Sequence, residues 1–302
     1  MKQDKQYDVI IVGGSYAGLA TGMALGRALR KVLIIDGGNP CNKQTPHSHN
    51  FLTNDGKTPK AIARLAKKQV RMYGSVDFLD AIVTAASNTG NGFKTQIQSG
   101  ETFTAKKMVF ATGVKDIIPD IPGFAECWGI SVLHCPYCHG YEVRHQKTGI
   151  LANGDAAFDL SSLISNWTSD LILYTNGKPA LTKQQVEKLL KHKINIVETE
   201  IERLEHKNGY IENIIFKDGK KASVKALYAR LPFVQHSFIP QELGCEITTE
   251  GHIKIDEAQR TTMHGIYACG DNTTRMRTVA NAVSMGTTAG LMLNKELIEQ
   301  EF

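Results

Sequence analysis

The chain has 302 residues, 42% of them hydrophobic, enough for two domains of ordinary size with a core in each, and a disordered chain is excluded. Its formal charge of +5 is spread over 35 basic and 30 acidic residues, with no long basic run and no aromatic-basic interleaving, which argues against a nucleic-acid-binding surface. The polar start and the short apolar run at 9–12 are unlike a signal segment or a membrane span, so a cytoplasmic location is expected.

Residues 7–12 read as a buried strand, followed by Gly13-Gly14-Ser15-Tyr16-Ala17-Gly18 and a helix-forming stretch to about residue 30. A second apolar strand at 32–35 ends at Asp36, placed to accept hydrogen bonds from an adenosine ribose. A helix N-terminus offers unpaired N–H groups and the positive end of its dipole to a pyrophosphate, and glycines let the backbone come close. Ser15 replaces the middle glycine of G-x-G-x-x-G; it is small, and its hydroxyl can bond a phosphate oxygen. In the following loop His47 and His49 form H-x-H ahead of Asn50, but no third ligand stands at useful spacing, so a polar loop role is expected over a metal site.

Residues 107–113 form a strand ending in Phe110-Ala111-Thr112-Gly113. Ile118-Pro119-Asp120-Ile121-Pro122-Gly123 has the composition of a crossover, and a second crossover is expected within 231–240. The expected organisation is therefore a discontinuous domain of 1–116 and 241–302, with 117–240 inserted.

The tetrad Cys135-Pro136-Tyr137-Cys138 lies in the insert. Structural zinc would require a second ligand pair, and Cys41, Cys127, Cys245 and Cys269 are isolated; they are expected to be small buried residues. A c-type haem, suggested by Cys135-x-x-Cys138-His139, would require export, and a permanent disulfide across so short a loop would constrain little of the unfolded chain. A redox pair is the favoured reading, because thiols at this spacing close a disulfide within one helical turn and a helix N-terminus favours the thiolate. His139 follows; an imidazole titrates near neutrality and can move a proton either way, although a solvated neighbour is the plainer alternative.

A strand at 149–151 then runs into Ala152-Asn153-Gly154-Asp155-Ala156-Ala157 and a helix through Trp167, outlining a second dinucleotide unit with Ala152 crowding the turn. After the strand at 171–174 comes Thr175-Asn176-Gly177-Lys178, with no guanidinium for a 2′-phosphate and no carboxylate for a ribose. Residues 265–271 form a strand ending in Gly270-Asp271. The last helix opens near Thr278 and Val279 and carries Gly286, Thr287, Ala289 and Gly290, small residues suited to close packing within the domain or against a symmetric partner.

In the order and spacing of these motifs the chain resembles the thioredoxin reductase group of FAD-dependent disulfide oxidoreductases. The octad Cys-Pro-Tyr-Cys-His-Gly-Tyr-Glu at 135–142 is most similar to the branch of gliotoxin-type dithiol oxidases and bacterial relatives lacking the NADPH clamp. The resemblance implies an α/β fold of two Rossmann-like three-layer dinucleotide-binding domains, the second inserted into the first. It implies FAD on Gly13, Gly14, Ser15, Tyr16, Ala17, Gly18, Asp36, Asn50, Ala111, Thr112, Gly113, Gly270, Asp271, Thr278 and Val279, with Asp271 on the ribityl chain. Cys138 then faces the isoalloxazine, Cys135 exchanges with substrate, and His139 stands where relatives carry an acid. Weak or absent NADPH binding, a thioredoxin-like protein or small dithiol/disulfide as substrate, and a homodimer are the further expectations. Three functions remain open: a disulfide reductase fed by atypically bound NADPH, ferredoxin or a reduced flavin; an oxygen-dependent dithiol oxidase; and an FAD-binding regulatory module that does not turn over.

Overall fold

The computed structural model describes residues 6–302, which divide into two compact units. Residues 6–43, 51–115 and 233–302 form one; residues 44–50 and 116–232 form the other. Each is built on a parallel sheet with helices, so the fold is two Rossmann-like domains, the second inserted into the first. Among the described residues no helix is long and apolar enough to cross a membrane.

In the first unit the strands Val76–Asp80, Val32–Asp36, Gln6–Val12 and Thr102–Phe110 lie side by side in parallel. Thr102–Phe110 changes partner along its far edge: its start pairs antiparallel with Phe93–Ile97, and its end pairs parallel with Ile266–Ala268. Strands covered on both faces read as continuous apolar runs, with successive side chains entering opposite layers. Val9, Ile11, Val32, Ile34 and Val109 enter the core that includes Leu19, Ile62 and Leu293 from the helices Tyr16–Arg27, Pro59–Val70 and Val279–Glu301. Ile10, Val12, Leu33, Ile35, Met108 and Phe110 enter the other core, with Phe103 and Ile253.

The last helix starts at N-cap Thr278, whose Oγ1 accepts from the Asn281 N–H at 3.1 Å, and runs to Glu301. Gly286 and Gly290 pack on the first helix, and Thr21 Oγ1 donates at 2.9 Å to the Gly286 carbonyl. Gly286, Ala289 and Gly290 thus serve packing within the domain, while Thr287 is exposed. A β-carbon at Gly286 would collide with the Ala17 carbonyl. Gly286→Val is accordingly expected to destabilise the protein by about 1–3 kcal/mol, the usual scale of overpacking. Denaturant unfolding checks this; an unchanged midpoint would show that the helices separate freely.

In the inserted unit five parallel strands run in the order Asn195–Val197, Leu171–Tyr174, Thr148–Leu151, Ala226–Ala229 and Val132–Leu133. The helices Gly154–Ile164 and Lys183–Lys191 share a core with one face. An antiparallel meander of Ile201–Lys207, Tyr210–Phe216 and Lys221–Ala222 packs Leu204, Ile214 and Phe216 into the core of the other. The segment 44–50 is tied to this unit by Gln44, whose Nε2 donates to the Ala125 and Trp128 carbonyls at 3.1 and 3.2 Å. The connecting strands Val114–Asp116 and Phe233–Gln235 pair with each other.

Candidate active site

In the first unit the chain leaves its opening strand at Gly13, where φ is 106° and a β-carbon would overlap the Ala111 carbonyl. This is the left-handed backbone that glycine alone adopts easily, and here it lets the Ala111-Thr112-Gly113 turn pack directly on the glycine turn. Gly14 abuts the Asp36 side chain and Gly18 abuts the Gly13 carbonyl, neither with room for a β-carbon. Ser15 is the N-cap of the helix Tyr16–Arg27 but does not spend its hydroxyl on capping. Tyr16 and Ala17 are buried, and the Tyr16 hydroxyl donates to the Pro59 carbonyl at 3.2 Å. Both side chains therefore pack the core, leaving only backbone to face a phosphate.

Asp36 ends its strand partly exposed, with Oδ1 accepting from the Gly38 N–H at 3.2 Å. Asn272 Nδ2 donates to the Phe110 carbonyl at 2.8 Å and to Thr112 Oγ1 at 3.3 Å, tying the Gly270-Asp271 turn to the Ala-Thr-Gly turn. Gly270 packs against Ala17. Asp271 Oδ2 lies 3.6 Å from both Cys41 Sγ and Arg277 Nε. A cradle that any β-carbon would fill, a helix start with its hydroxyl uncommitted, and two oriented carboxylates fit the pyrophosphate, ribose and polyol of FAD. Val279 opens the last helix of the same unit. Asn50 is grouped instead with the inserted unit, exposed and at φ 58°.

Cys135 and Cys138 are joined in a disulfide with Cα atoms 5.3 Å apart. Cys135 is the N-cap of the short helix Pro136–His139, its Sγ accepting from the Cys138 N–H at 3.2 Å, and Pro136 at the first position pre-sets the helical backbone. Tyr137 is exposed, edge-on to Trp167 with ring centroids 5.4 Å apart.

His139 corrects an expectation. Burial, reinforced by the nearby His49, pushes its pKa down to about 4, so near neutrality it is an uncharged imidazole and not a group that titrates there. His49 Nε2 lies 3.6 Å from Glu142 Oε1, and the ring of His47 is 6.4 Å from that of His49. Among the described residues no cluster of side chains able to hold a metal is found. Cys41 is a second correction: it is exposed, because its loop runs over the surface beside Asp271. Cys127, Cys245 and Cys269 are buried, and burial pushes the Cys127 and Cys269 thiols up to about 11 and about 12.

The second dinucleotide turn is bonded to the loop after the strand Leu171–Tyr174. Asn153 caps the helix Gly154–Ile164, which ends short of Trp167. Its Oδ1 accepts from the N–H groups of Gly154 and Ala180, both at 2.8 Å, and its Nδ2 donates to the Thr175 and Lys178 carbonyls at 3.4 and 3.0 Å. One amide thus straps the 175–180 loop to the helix start. Asp155 adds a negative charge in the first turn, where a phosphate would be repelled.

The strap at Asn153, the Arg277 and Cys41 contacts to Asp271, and the His49–Glu142 pair are not legible in the sequence, since each joins residues from separate segments. For Asn153 one signal was present: an amide at the N-cap of a predicted helix is a common side-chain bridge.

A dinucleotide cradle in one Rossmann unit and a vicinal cysteine pair in the unit inserted into it define a flavin-dependent disulfide oxidoreductase. The chain belongs to the pyridine nucleotide-disulphide oxidoreductase family, whose model matches residues 7–286. Thioredoxin reductase tcpT of Claviceps purpurea is 29% identical over 96% of this chain and 94% of its own length. Thioredoxin reductase aclD of Aspergillus oryzae is 28% identical over 98% of each chain. Among solved structures, the oxidoreductase from Agrobacterium tumefaciens superposes with a TM-score of 0.91 at 32% identity, covering 98% of this chain and 99% of that one. The protein is an FAD-dependent disulfide oxidoreductase of the thioredoxin reductase type.

Proposed function

We propose that the protein moves two electrons between FAD and the Cys135/Cys138 pair, and between that pair and a dithiol/disulfide substrate, with poor or no use of NADPH. The observation that carries this reading is the bonded pair itself, formed at the head of a short helix and followed by an uncharged histidine. Bound FAD supplies reversible two-electron chemistry that can be coupled to a disulfide on one side and to oxygen on the other. The backbone at Gly13, Gly14, Ser15 and Gly18 takes the pyrophosphate, Asp36 the ribose, and Asp271, oriented by Arg277 and Cys41, the polyol. Cys135 exchanges with substrate and Cys138 with the flavin; one sulfur forms the mixed disulfide while the other resolves it.

Oxidation of a small dithiol with oxygen as acceptor is the direction favoured by the lack of a guanidinium at 175–178 and by the Asn153 strap, which bonds the 175–180 loop to the start of the helix Gly154–Ile164. Steady-state turnover with dithiothreitol and oxygen is set against NADPH with thioredoxin. Peroxide formation in the first and negligible turnover in the second is the expected pattern. Ordinary NADPH-driven turnover would overturn the direction, and failure of every dithiol to reduce the flavin anaerobically would overturn the function.

A further inference from the structure

A buried glutamine stands behind the Gly270-Asp271 turn. Gln235 ends the strand Phe233–Gln235 and is 6% exposed. Its Nε2 donates to the Gly251 carbonyl at 2.8 Å and to the Asn272 carbonyl at 2.9 Å. The opposite orientation of the amide would set Oε1 against two carbonyl oxygens, so the nitrogen end is fixed by its neighbours. Oε1 has no partner among the described residues, and the side chain therefore works as a donor alone.

Residues Gly270, Asp271, Asn272 and Thr273 make a tight turn, closed by the Thr273 N–H on the Gly270 carbonyl at 2.9 Å, with Asp271 and Asn272 at its corners. Asn272 is fully buried and pinned from two sides. Its amide donates to the Phe110 carbonyl and to Thr112 Oγ1, while its carbonyl accepts from Gln235 and from the Ile253 N–H, the latter at 2.9 Å. Asp271, the other corner, directs its carboxylate to Cys41 and Arg277. In a closed four-residue turn the central dihedrals have little freedom, so holding one corner sets the direction of the other. Gln235 also ties the turn to Gly251 and to a strand that pairs with Val114–Asp116, which leaves the Ala111-Thr112-Gly113 turn directly. The two flavin turns are thus joined twice, through Asn272 and through Gln235.

We infer that Gln235 is a positioning residue for FAD. Its N–H groups hold the Asn272 carbonyl, and through the turn the Asp271 carboxylate, in the direction the polyol requires; the assignment rests on the reading of Asp271 as the polyol's partner. Loss of the donor takes a hydrogen bond from each of two carbonyls and frees the corner beside Asp271. His252, next to Gly251, stacks on Phe233 with ring centroids 4.7 Å apart. Burial pushes its pKa down, Arg275 and Arg277 act in the same direction, and Glu250 and the Asp271 backbone act against it. All glutamine variants share these groups with the wild type, which supplies the reference at each pH.

The test measures FAD dissociation constants for the wild type, Gln235→Met, Gln235→Glu and Asp271→Ala from about pH 5.5 to about pH 8.5, across the range in which a buried carboxyl titrates. Visible circular dichroism reports the setting of the bound flavin. Gln235→Met, of similar volume but with no donor, is expected to weaken FAD binding about 10–100-fold relative to the wild type at every pH and to change the flavin dichroism. Gln235→Glu keeps the shape. Ionised, it sets a carboxylate against two carbonyl oxygens, which together with burial raises its pKa above the ordinary value of about 4.3; protonated, it donates again. Its affinity is expected to be as poor as that of Gln235→Met at high pH and to climb toward the wild-type value as the pH falls. A loss in Gln235→Glu that keeps the same ratio to wild type at every pH would overturn the donor role, since shape or charge alone would then account for it. Wild-type affinity in both glutamine variants, with Asp271→Ala impaired, would overturn the Gln235 assignment alone. Wild-type affinity in Asp271→Ala would overturn the polyol reading and this assignment with it.

Discussion

Cys138→Ala is expected to abolish flavin reduction by dithiols, with a fall of about 10³-fold or more, the scale on which loss of a covalent reaction partner acts. The reason is connectivity. Cys135 alone has no disulfide for a substrate thiol to attack, and no second sulfur remains to carry electrons onward. The fold should survive, because a disulfide between residues three apart in sequence closes too short a loop to restrict the unfolded chain much, and the Pro136–His139 turn keeps its proline start. Anaerobic stopped-flow absorbance of the yellow holoprotein mixed with dithiothreitol reads the effect. Reduction of Cys138→Ala at the wild-type rate would mean that electrons reach the flavin without the cysteine pair.

The parts of this molecule visible in its sequence are those encoded by neighbours along the chain. The run at 9–12, the glycine turn, and Asp36 after a second apolar run specify a βαβ unit locally, and each lies where that unit requires. What was hidden depends on tertiary contact. The pKa of His139 is set by burial and by a residue from a distant loop, neither visible from the CxxC-His string. His49 lies in the segment 44–50, grouped with the inserted unit although the chain on either side of that segment belongs to the other, and the Gln44 hydrogen bonds and the His49–Glu142 contact tie it there. Cys41 was expected to be buried because cysteines usually are, but its loop lies at the surface.

NADPH is expected to bind about 10²–10⁴-fold more weakly than to a protein with an intact arginine clamp. Each charge-assisted hydrogen bond to a 2′-phosphate contributes about 1.5–3 kcal/mol, so losing two costs about 3–6 kcal/mol, and each 1.4 kcal/mol is a tenfold change in Kd. The strap adds a second obstacle of a different kind. Three hydrogen bonds join Asn153 to the 175–180 loop, and a ligand would approach a helix start that already carries Asp155. The two obstacles separate experimentally. Asn153→Gly releases the loop without adding a guanidinium, so NADPH affinity in equilibrium titration should improve only several-fold and remain far from that of a clamped enzyme. Lys178→Arg alone should change little, since the Lys178 carbonyl stays tied to Asn153. With both substitutions a free loop carries a group able to grip phosphate, and the gain should exceed the product of the single effects, as expected when one change is a precondition for the other. Strictly multiplicative gains would mean that the strap does not gate the site, and tight NADPH binding by the unaltered protein would mean that neither obstacle operates.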